Sequence, residues 1–205
     1  MKNLVRLTLA LCALALASPA SAQQQGNPVR VGLGVGLPTG GELTTLFAQT
    51  QAGSNAGIIP PQIYVPIDFT PSFRLEPEIG FVTSSQDGGD SAAYYTFGAG
   101  AFYMMQLAQQ AHLYVGGRLL VGLERSTTNG GGGFQTKTKG TDLFVGAALG
   151  GEILPHPRIG VGAEAQLGRW GIGDRDETTA GVTTTTPGGS AWQTNGIIFV
   201  RLYFN

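Results

Sequence analysis

The chain has 205 residues, with 12 Lys and Arg against 13 Asp and Glu, a formal net charge of −1, 33 Gly and one Cys. That balance excludes the basic stripe a nucleic-acid partner requires, a single cysteine excludes a disulfide framework, and the length suits one domain. No metal site or cofactor is expected, because two His without a usable Cys make a poor ligand set.

Lys2 and Arg6 precede an apolar run over 7–17, and Ala20-Ser21-Ala22 makes an A-x-A cleavage site. Residues 1–22 therefore read as a cleaved secretion signal, too short for a membrane helix, and residues 23–205 as the mature domain. Cys12 falls in the signal, where Leu11 is too large for a lipoprotein site. Without Lys2 and Arg6 the net charge falls to about −3.

From Val29 onward a two-residue rhythm sets in. In Val29-Arg30-Val31-Gly32-Leu33-Gly34-Val35-Gly36-Leu37 every odd position is aliphatic and every even one is Gly or Arg. A strand sends alternate side chains to opposite faces, so this ribbon has one greasy and one small, polar face. The alternation predicts strands over 29–37, 59–69, 73–83, 94–105, 113–125, 141–154, 158–170 and 194–204. Most are close to the nine to eleven residues a tilted membrane strand needs.

The connections alternate in length. Long ones rich in Gly, Ser and Thr cover 38–58, 84–93, 126–140 and 171–193, whereas 70–72, 106–112 and 155–157 are short. Outer-membrane barrels combine tight periplasmic turns with longer extracellular loops in this way. The reading is all-β: a closed antiparallel up-and-down transmembrane barrel of about eight strands. Pro60, Pro61, Pro66 and Pro77 fall in the second and third strands, each removing a ladder donor, and bulges are expected there.

The signal, the eight ribbons and the aromatic-rich final strand Gly196-Ile197-Ile198-Phe199-Val200-Arg201-Leu202-Tyr203-Phe204 resemble the small bacterial outer-membrane barrel family, which includes the OmpA-type transmembrane domain and OmpX. The segment from Tyr64-Val65-Pro66-Ile67 through Phe73-Arg74-Leu75-Glu76-Pro77-Glu78-Ile79-Gly80-Phe81 is similar to the second hairpin of porin-like members. The resemblance implies export by the Sec route, insertion by the barrel-assembly machinery and residence as a monomer in the outer membrane. Most members end on an aromatic residue, whereas here Asn205 follows Phe204.

If the apolar beat faces lipid, the other beat faces the lumen. It carries Arg30, Asp68, Arg74, Glu76, Glu78, Arg118, Glu124, Asp142, Glu152, Glu164 and Arg201. By height, Arg30, Asp68, Arg74, Glu76, Glu78, Glu152 and Arg201 are expected in the periplasmic half, with Arg118 and Glu164 as a central pair. An eight-stranded barrel is just wide enough for side chains to fill, so a structural plug of ion pairs is the first reading and a gate with exchanging partners the second. Phe69, Phe73, Phe81, Tyr95, Tyr103, Trp192 and Phe204 suit aromatic girdles at the two interfaces.

Outer-membrane lipid and lipopolysaccharide are the expected surroundings. Lys137, Lys139, Arg125 and Arg169 could meet lipopolysaccharide phosphates, although plain solvation is the simpler reading. His112 and His156 fall in short periplasmic turns, the wrong end for a lipid-modifying His, so no enzyme activity is expected. Asp174-Arg175-Asp176-Glu177 lacks the rest of a calcium loop and reads as a solvated turn. The run Gly131-Gly132-Gly133-Phe134-Gln135-Thr136-Lys137-Thr138 has Thr136 where a phosphate loop needs Gly, and Gly32, Gly34 and Gly36 are strand residues. Three functions follow: a rigid membrane barrel with a structural or surface-interaction role, a narrow channel gated by lumen Arg/Glu pairs, or a soluble lipocalin-like barrel with its greasy face inward.

Overall fold

The computed structural model describes residues 29–39, 60–85, 89–130 and 134–204. The expected signal over 1–22 and most of the first long loop lie outside them. Ten strands follow in chain order: β1 (Arg30–Thr39), β2 (Gln62–Tyr64), β3 (Ile67–Thr70), β4 (Phe73–Ser85), β5 (Ser91–Ala108), β6 (Ala111–Asn129), β7 (Gln135–His156), β8 (Ile159–Thr179), β9 (Val182–Thr186) and β10 (Gly189–Tyr203). Each pairs antiparallel with its neighbours, and β10 joins both β8 and β1, so the sheet closes. Because β2 with β3, and β9 with β10, each form one broken stave, the barrel has the eight staves expected.

The ring closes with a stagger. Following paired residues from Thr39 through Gly196, Ala165, Leu149, Val115, Tyr103 and Phe73 leads back to the start of β1. That return lies about ten residues lower, which for eight strands corresponds to a tilt of roughly 40–45°. Leu113 to Leu123 on β6 then covers about 25 Å of the membrane normal, the height of a bilayer-facing band.

The alternation settles which face is inside. Leu33, Val35 and Leu37 are 45–49 % exposed while the intervening glycines are buried. Val115, Leu119, Leu143, Val145, Leu149, Leu167, Ile198, Val200 and Leu202 continue the outward aliphatic surface. The apolar beat faces out, so the lipocalin-like arrangement does not apply. Ile67 keeps the parity of this beat but is buried.

Inside, small residues make room for aromatic ones. A Cβ on Gly34 would stand 2.2 Å from the Tyr64 ring, and one on Gly150 equally close to Tyr114. Tyr64, Phe102, Met104, Tyr114, Ala148 and Phe199 form one buried cluster, and Leu120, Phe144 and Trp170 a second.

One irregularity occurs in the second and third expected strands, but not at the prolines themselves. The pairing of Gly34 with Tyr64 and of Val31 with Ile67 keeps one register across Val65-Pro66, as does the pairing of both segments with β4. Pro66 and Pro77 lose their donors but keep their acceptors: Gly32 N donates to Pro66 O and Val65 N to Pro77 O, both at 2.9 Å. The irregularity lies lower, between Asp68 and Thr70.

The long connections expected over 126–140 and 171–193 are mostly strand. β6, β7 and β8 continue well past the aliphatic band, and β8 turns into β9 at Ala180-Gly181, both in the left-handed region with φ of 50° and 84°. Such a two-residue turn matches the twist of a hairpin. Thr and Ser pair across strands here without an apolar face.

Gly98 approaches its neighbour so closely that a Cβ would stand 2.0 Å from the Leu119 carbonyl oxygen, whereas on outward Gly151 the nearest atom is 3.8 Å away. Gly98→Ala is expected to cost about 1–3 kcal/mol through overpacking against backbone, and Gly151→Ala to stay within about 0.5 kcal/mol. The urea midpoint of the compact gel band measures both; equal midpoints would contradict the packing described.

Candidate functional site: the charged lumen

The inward charges are arranged in tiers. At the end carrying the short turns, the Arg30 guanidinium meets Asp68 at 2.8 Å, and Arg74 Nε donates to Asp68 Oδ1 at 2.6 Å. Arg74 also reaches across to Glu152 at 3.0 Å. Tyr203 Oη accepts from Arg74 Nη2 at 2.8 Å and donates to Glu152 Oε1 at 2.6 Å. These bonds link β1, β3, β4, β7 and β10, strands that are not all neighbours in the sheet.

The middle tier is centred on Arg118. Its Nε and Nη2 grip Glu164 at 2.6 and 2.8 Å, Nη1 donates to Glu78 at 2.9 Å, and Nη2 to Glu76 at 2.7 Å. Glu76 turns its second oxygen to Arg201 Nη2 at 2.6 Å, and Arg201 lies 3.3 Å from Glu152, joining the two tiers. Tyr114 Oη and Gln166 Nε2 complete the shell of Glu164 at 3.0 and 2.7 Å. Arg201 stacks over Phe199 and Arg118 over Phe102, with 3.9 and 4.9 Å from the guanidinium carbon to the ring centre. Arg74, Glu76, Glu78, Arg118, Glu152, Glu164 and Arg201 are all buried.

Above the Leu120, Phe144 and Trp170 cluster lies a third tier. Arg175 contacts Glu124 at 2.7 Å and Asp142 at 2.8 Å, and Tyr94 Oη donates to Asp142 at 3.1 Å.

All eleven charges expected on the lumen beat therefore lie inside the barrel, with two corrections of grouping. Glu76 and Glu78 belong to the central tier rather than to the periplasmic one, because the register sets Glu76, through Gly100, in the same row as Arg118, whose guanidinium meets both. Arg118 and Glu164 are in contact, but as half of a hub and not as an isolated pair.

Sequence reasoning misses Arg175 because it places this residue in a loop. Between Gly140/Arg175 and Asp142/Ile172 the register of β7 against β8 shifts by one residue, the extra residue lying on β8. A one-residue slip exchanges the faces, so odd positions, outward below the bulge, point inward above it. Gly173 occupies the bulge, where a Cβ would stand 2.2 Å from Thr141 O, and its N–H donates to Asp142 at 3.3 Å. The inward aromatics are missed too, although Tyr203 and Phe199 share the parity of Arg201.

Among the aromatic residues expected at the interfaces, Phe69, Phe73, Phe81, Tyr95, Tyr103, Trp192 and Phe204 all point outward and are exposed. Trp192 lies on β10 opposite Arg169, not in a loop. His112 and His156 sit at the short-turn end, where His156 Nδ1 accepts from Arg158 N at 3.2 Å. Among the described residues no group of three or more His, Cys, Asp or Glu could hold a metal ion.

A closed eight-stave barrel, aliphatic outside and ionic inside, with aromatic rims, is an integral transmembrane β-barrel. The chain belongs to the outer membrane protein beta-barrel domain family, whose model matches residues 8–190, and it is an integral protein of the outer membrane. No curated relative matches it. A major outer membrane protein of Thermus thermophilus shares the fold, with a TM-score of 0.56 and 10 % identity over 87 % of this chain and 100 % of the other. Neisserial surface protein A aligns with a TM-score of 0.45 and 17 % identity over 86 % of this chain and 96 % of that one. Ail, the attachment invasion locus protein of Yersinia pestis, aligns with a TM-score of 0.44 and 14 % identity over 85 % and 95 %.

Removing one partner from a buried ionic cluster leaves the others charged and unpaired. Arg118→Met, which strands Glu78 and Glu164 and leaves Glu76 with Arg201 alone, is expected to cost about 3–5 kcal/mol, and Arg118→Met with Glu164→Gln less than the single change. Arg175→Met should cost less than Arg118→Met, because the Arg175 side chain is 12 % exposed. Urea titration of the folded band in detergent ranks the four proteins; an equal midpoint for wild type and Arg118→Met would remove the hub from any role in stability.

Proposed function

We propose that the protein is a closed, non-conducting membrane anchor that holds a polar β-extension outside the cell, in a structural or surface-interaction role. The observation that carries this reading is the span of the ion pairs. Arg118, Arg74 and Arg201 join β4 to β6, β7, β8 and β10, so their side chains fill the cross-section at two heights. An eight-stranded lumen has little width left beyond its side chains. The upper strands point to the outer surface because the short turns and both ends of the barrel share the opposite end.

The reading is non-enzymatic. The lumen carboxylates are engaged with guanidiniums, and His112 and His156 stand at the end away from the extension. The precursor is exported with its first 22 residues as a signal, inserted by the barrel-assembly machinery, and resides as a monomer among outer-membrane lipids.

A narrow channel is the second reading, favoured by one observation. Gln62, Tyr64 Oη, Glu78 Oε2 and Thr96 Oγ1 are buried on the lumen side of β2, β4 and β5 without hydrogen-bond partners among the described residues. Groups of that kind commonly hold water. Purified, folded protein in a planar bilayer separates the two. Silence from wild type is the expected result, whereas steady ion conductance that Arg118→Ala or Glu164→Ala alters would establish the channel instead.

A further inference from the structure

The charges of the lumen do not balance. In the two lower tiers the guanidiniums of Arg30, Arg74, Arg118 and Arg201 face five carboxylates, those of Asp68, Glu76, Glu78, Glu152 and Glu164. No other base beyond the expected signal supplies the difference. Arg125, Lys137, Lys139, Arg158 and Arg169 are exposed, and residues 23–28, 40–59, 86–88 and 131–133 contain no Lys, Arg or His. Arg175 is engaged with two carboxylates of its own, Glu124 and Asp142. At the short-turn end, burial holds the His112 imidazole below its ordinary pKa, so it carries no charge at neutral pH.

The excess charge is localised. Glu78 Oε1 accepts from Arg118, but Glu78 Oε2 is buried without a partner, alone in this among the carboxylate oxygens of the two lower tiers. Tyr64 pairs with Glu78, while Gln62 and Thr96 flank Gly80, the next inward position on β4. A Cβ on Gly80 would stand 2.5 Å from Thr96 Oγ1 and 3.0 Å from Pro61 O, so the bare glycine leaves a gap bordered by oxygens. Tyr64 Oη rises toward the same row, 3.2 Å from where a Cβ would lie on Gly36, the partner of Gln62. Gln62 Oε1, Tyr64 Oη and Thr96 Oγ1 also lack partners among the described residues, and Gln62, Tyr64, Glu78 and Thr96 are at most 3 % exposed.

We propose that this gap binds one alkali-metal cation, with Glu78 Oε2 as the charged ligand and Gln62 Oε1, Thr96 Oγ1 and Tyr64 Oη as neutral ones. Hydrogen bonds from water would satisfy the carboxylate oxygen but would not neutralise it, and an uncompensated buried charge is expensive. Hard cations take carboxylate, amide and hydroxyl oxygens. A deficit of one charge suits a monovalent ion, because a divalent one would reverse the imbalance. The site goes beyond the anchor role and depends neither on which end of the barrel faces outward nor on whether the lumen conducts.

The test refolds the protein from urea into a non-ionic detergent in sodium, potassium or N-methylglucamine chloride, at equal ionic strength and pH. N-methylglucamine is a cation too large for the gap. The urea midpoint of wild type should be higher in the alkali salts and rise with their concentration, since a ligand of the folded state alone stabilises it. Glu78→Gln balances the network and should give the same midpoint in all three salts. Gln62→Leu with Thr96→Val keeps the charge but removes two ligands, and should need on the order of tenfold more alkali ion for the same shift. Equal wild-type midpoints in the three salts, or a shift in Glu78→Gln as large as in wild type, would overturn the site. So would an infrared band of a neutral carboxyl group, present in wild type in every salt and lost in Glu78→Gln, because a proton then takes the cation's place. If Glu78→Gln does not fold, the double variant decides, and an unchanged dependence on alkali ion overturns the site. These midpoints are equilibrium readings, so planar-bilayer conductance would remove the anchor reading without touching this one.

Discussion

The ionic network inside the barrel is the constraint on which the rest of the structure depends. A closed barrel in lipid has to put one of its two beats inside, and here that beat carries Arg74, Glu76, Glu78, Arg118, Glu152, Glu164 and Arg201. Desolvating so many charges is expensive, and ion pairing inside a protein rarely makes such a cluster more stable than an apolar core of the same volume. Its contribution is to specificity. A slip of one residue in any stave would turn its charges toward hydrocarbon and its aliphatic side chains toward arginines. The network therefore fixes parity and register around the ring, most strongly where one side chain holds several strands, as Arg118 on β6 holds β4 and β8.

The same need for volume explains the glycines. The lumen must hold five arginines, seven carboxylates and a set of large aromatic rings within a ring of eight staves. That is possible only where an inward position opposite a ring carries no side chain. Gly34 under Tyr64 and Gly150 under Tyr114 are such places. The glycines of the polar beat are the complement of its tyrosines and phenylalanines, and together they leave the guanidiniums room to cross. Arg201 lying over Phe199 and Arg118 over Phe102 belong to the same packing problem: a planar cation is held by carboxylates at its edge and by a ring at its face.

Because a strict alternation has only two faces, the sequence alone sorts nearly every side chain of the membrane-spanning part into outward or inward sets. The charges of the inward set have to meet, and counting along the strands places Arg118 with Glu164 at mid-height. The finer grouping needs stagger: Glu76 and Glu78 lie at Arg118's level only because the staves are tilted and their registers displaced around the ring. Arg175 is hidden for a different reason. The bulge at Gly173 changes parity, and above it the strand is built of Asp, Glu and Thr, which give no apolar beat to read. The prolines mislead in the opposite direction. Pro66 and Pro77 look like breaks, yet each forfeits one bond while its carbonyl still accepts the partner strand's N–H.

Bulge and extension belong together. Below Gly173 the outward face of β8 must be apolar, ending in Ala165 and Leu167, and the inward face must be charged or aromatic. Above it no lipid and no packed lumen impose that division. By exchanging faces, the extra residue sends Arg175 onto Glu124 and Asp142, while Asp174 and Asp176 turn outward into solvent. β9 and β10 break at Pro187-Gly188, opposite the bulge, where Gly188 N donates to Asp174 at 2.9 Å. The third ionic tier is thus the seam between two sheets governed by different solvents. Beneath it the lumen charges hold the register in hydrocarbon, and above it the strands are free to carry polar residues on both faces.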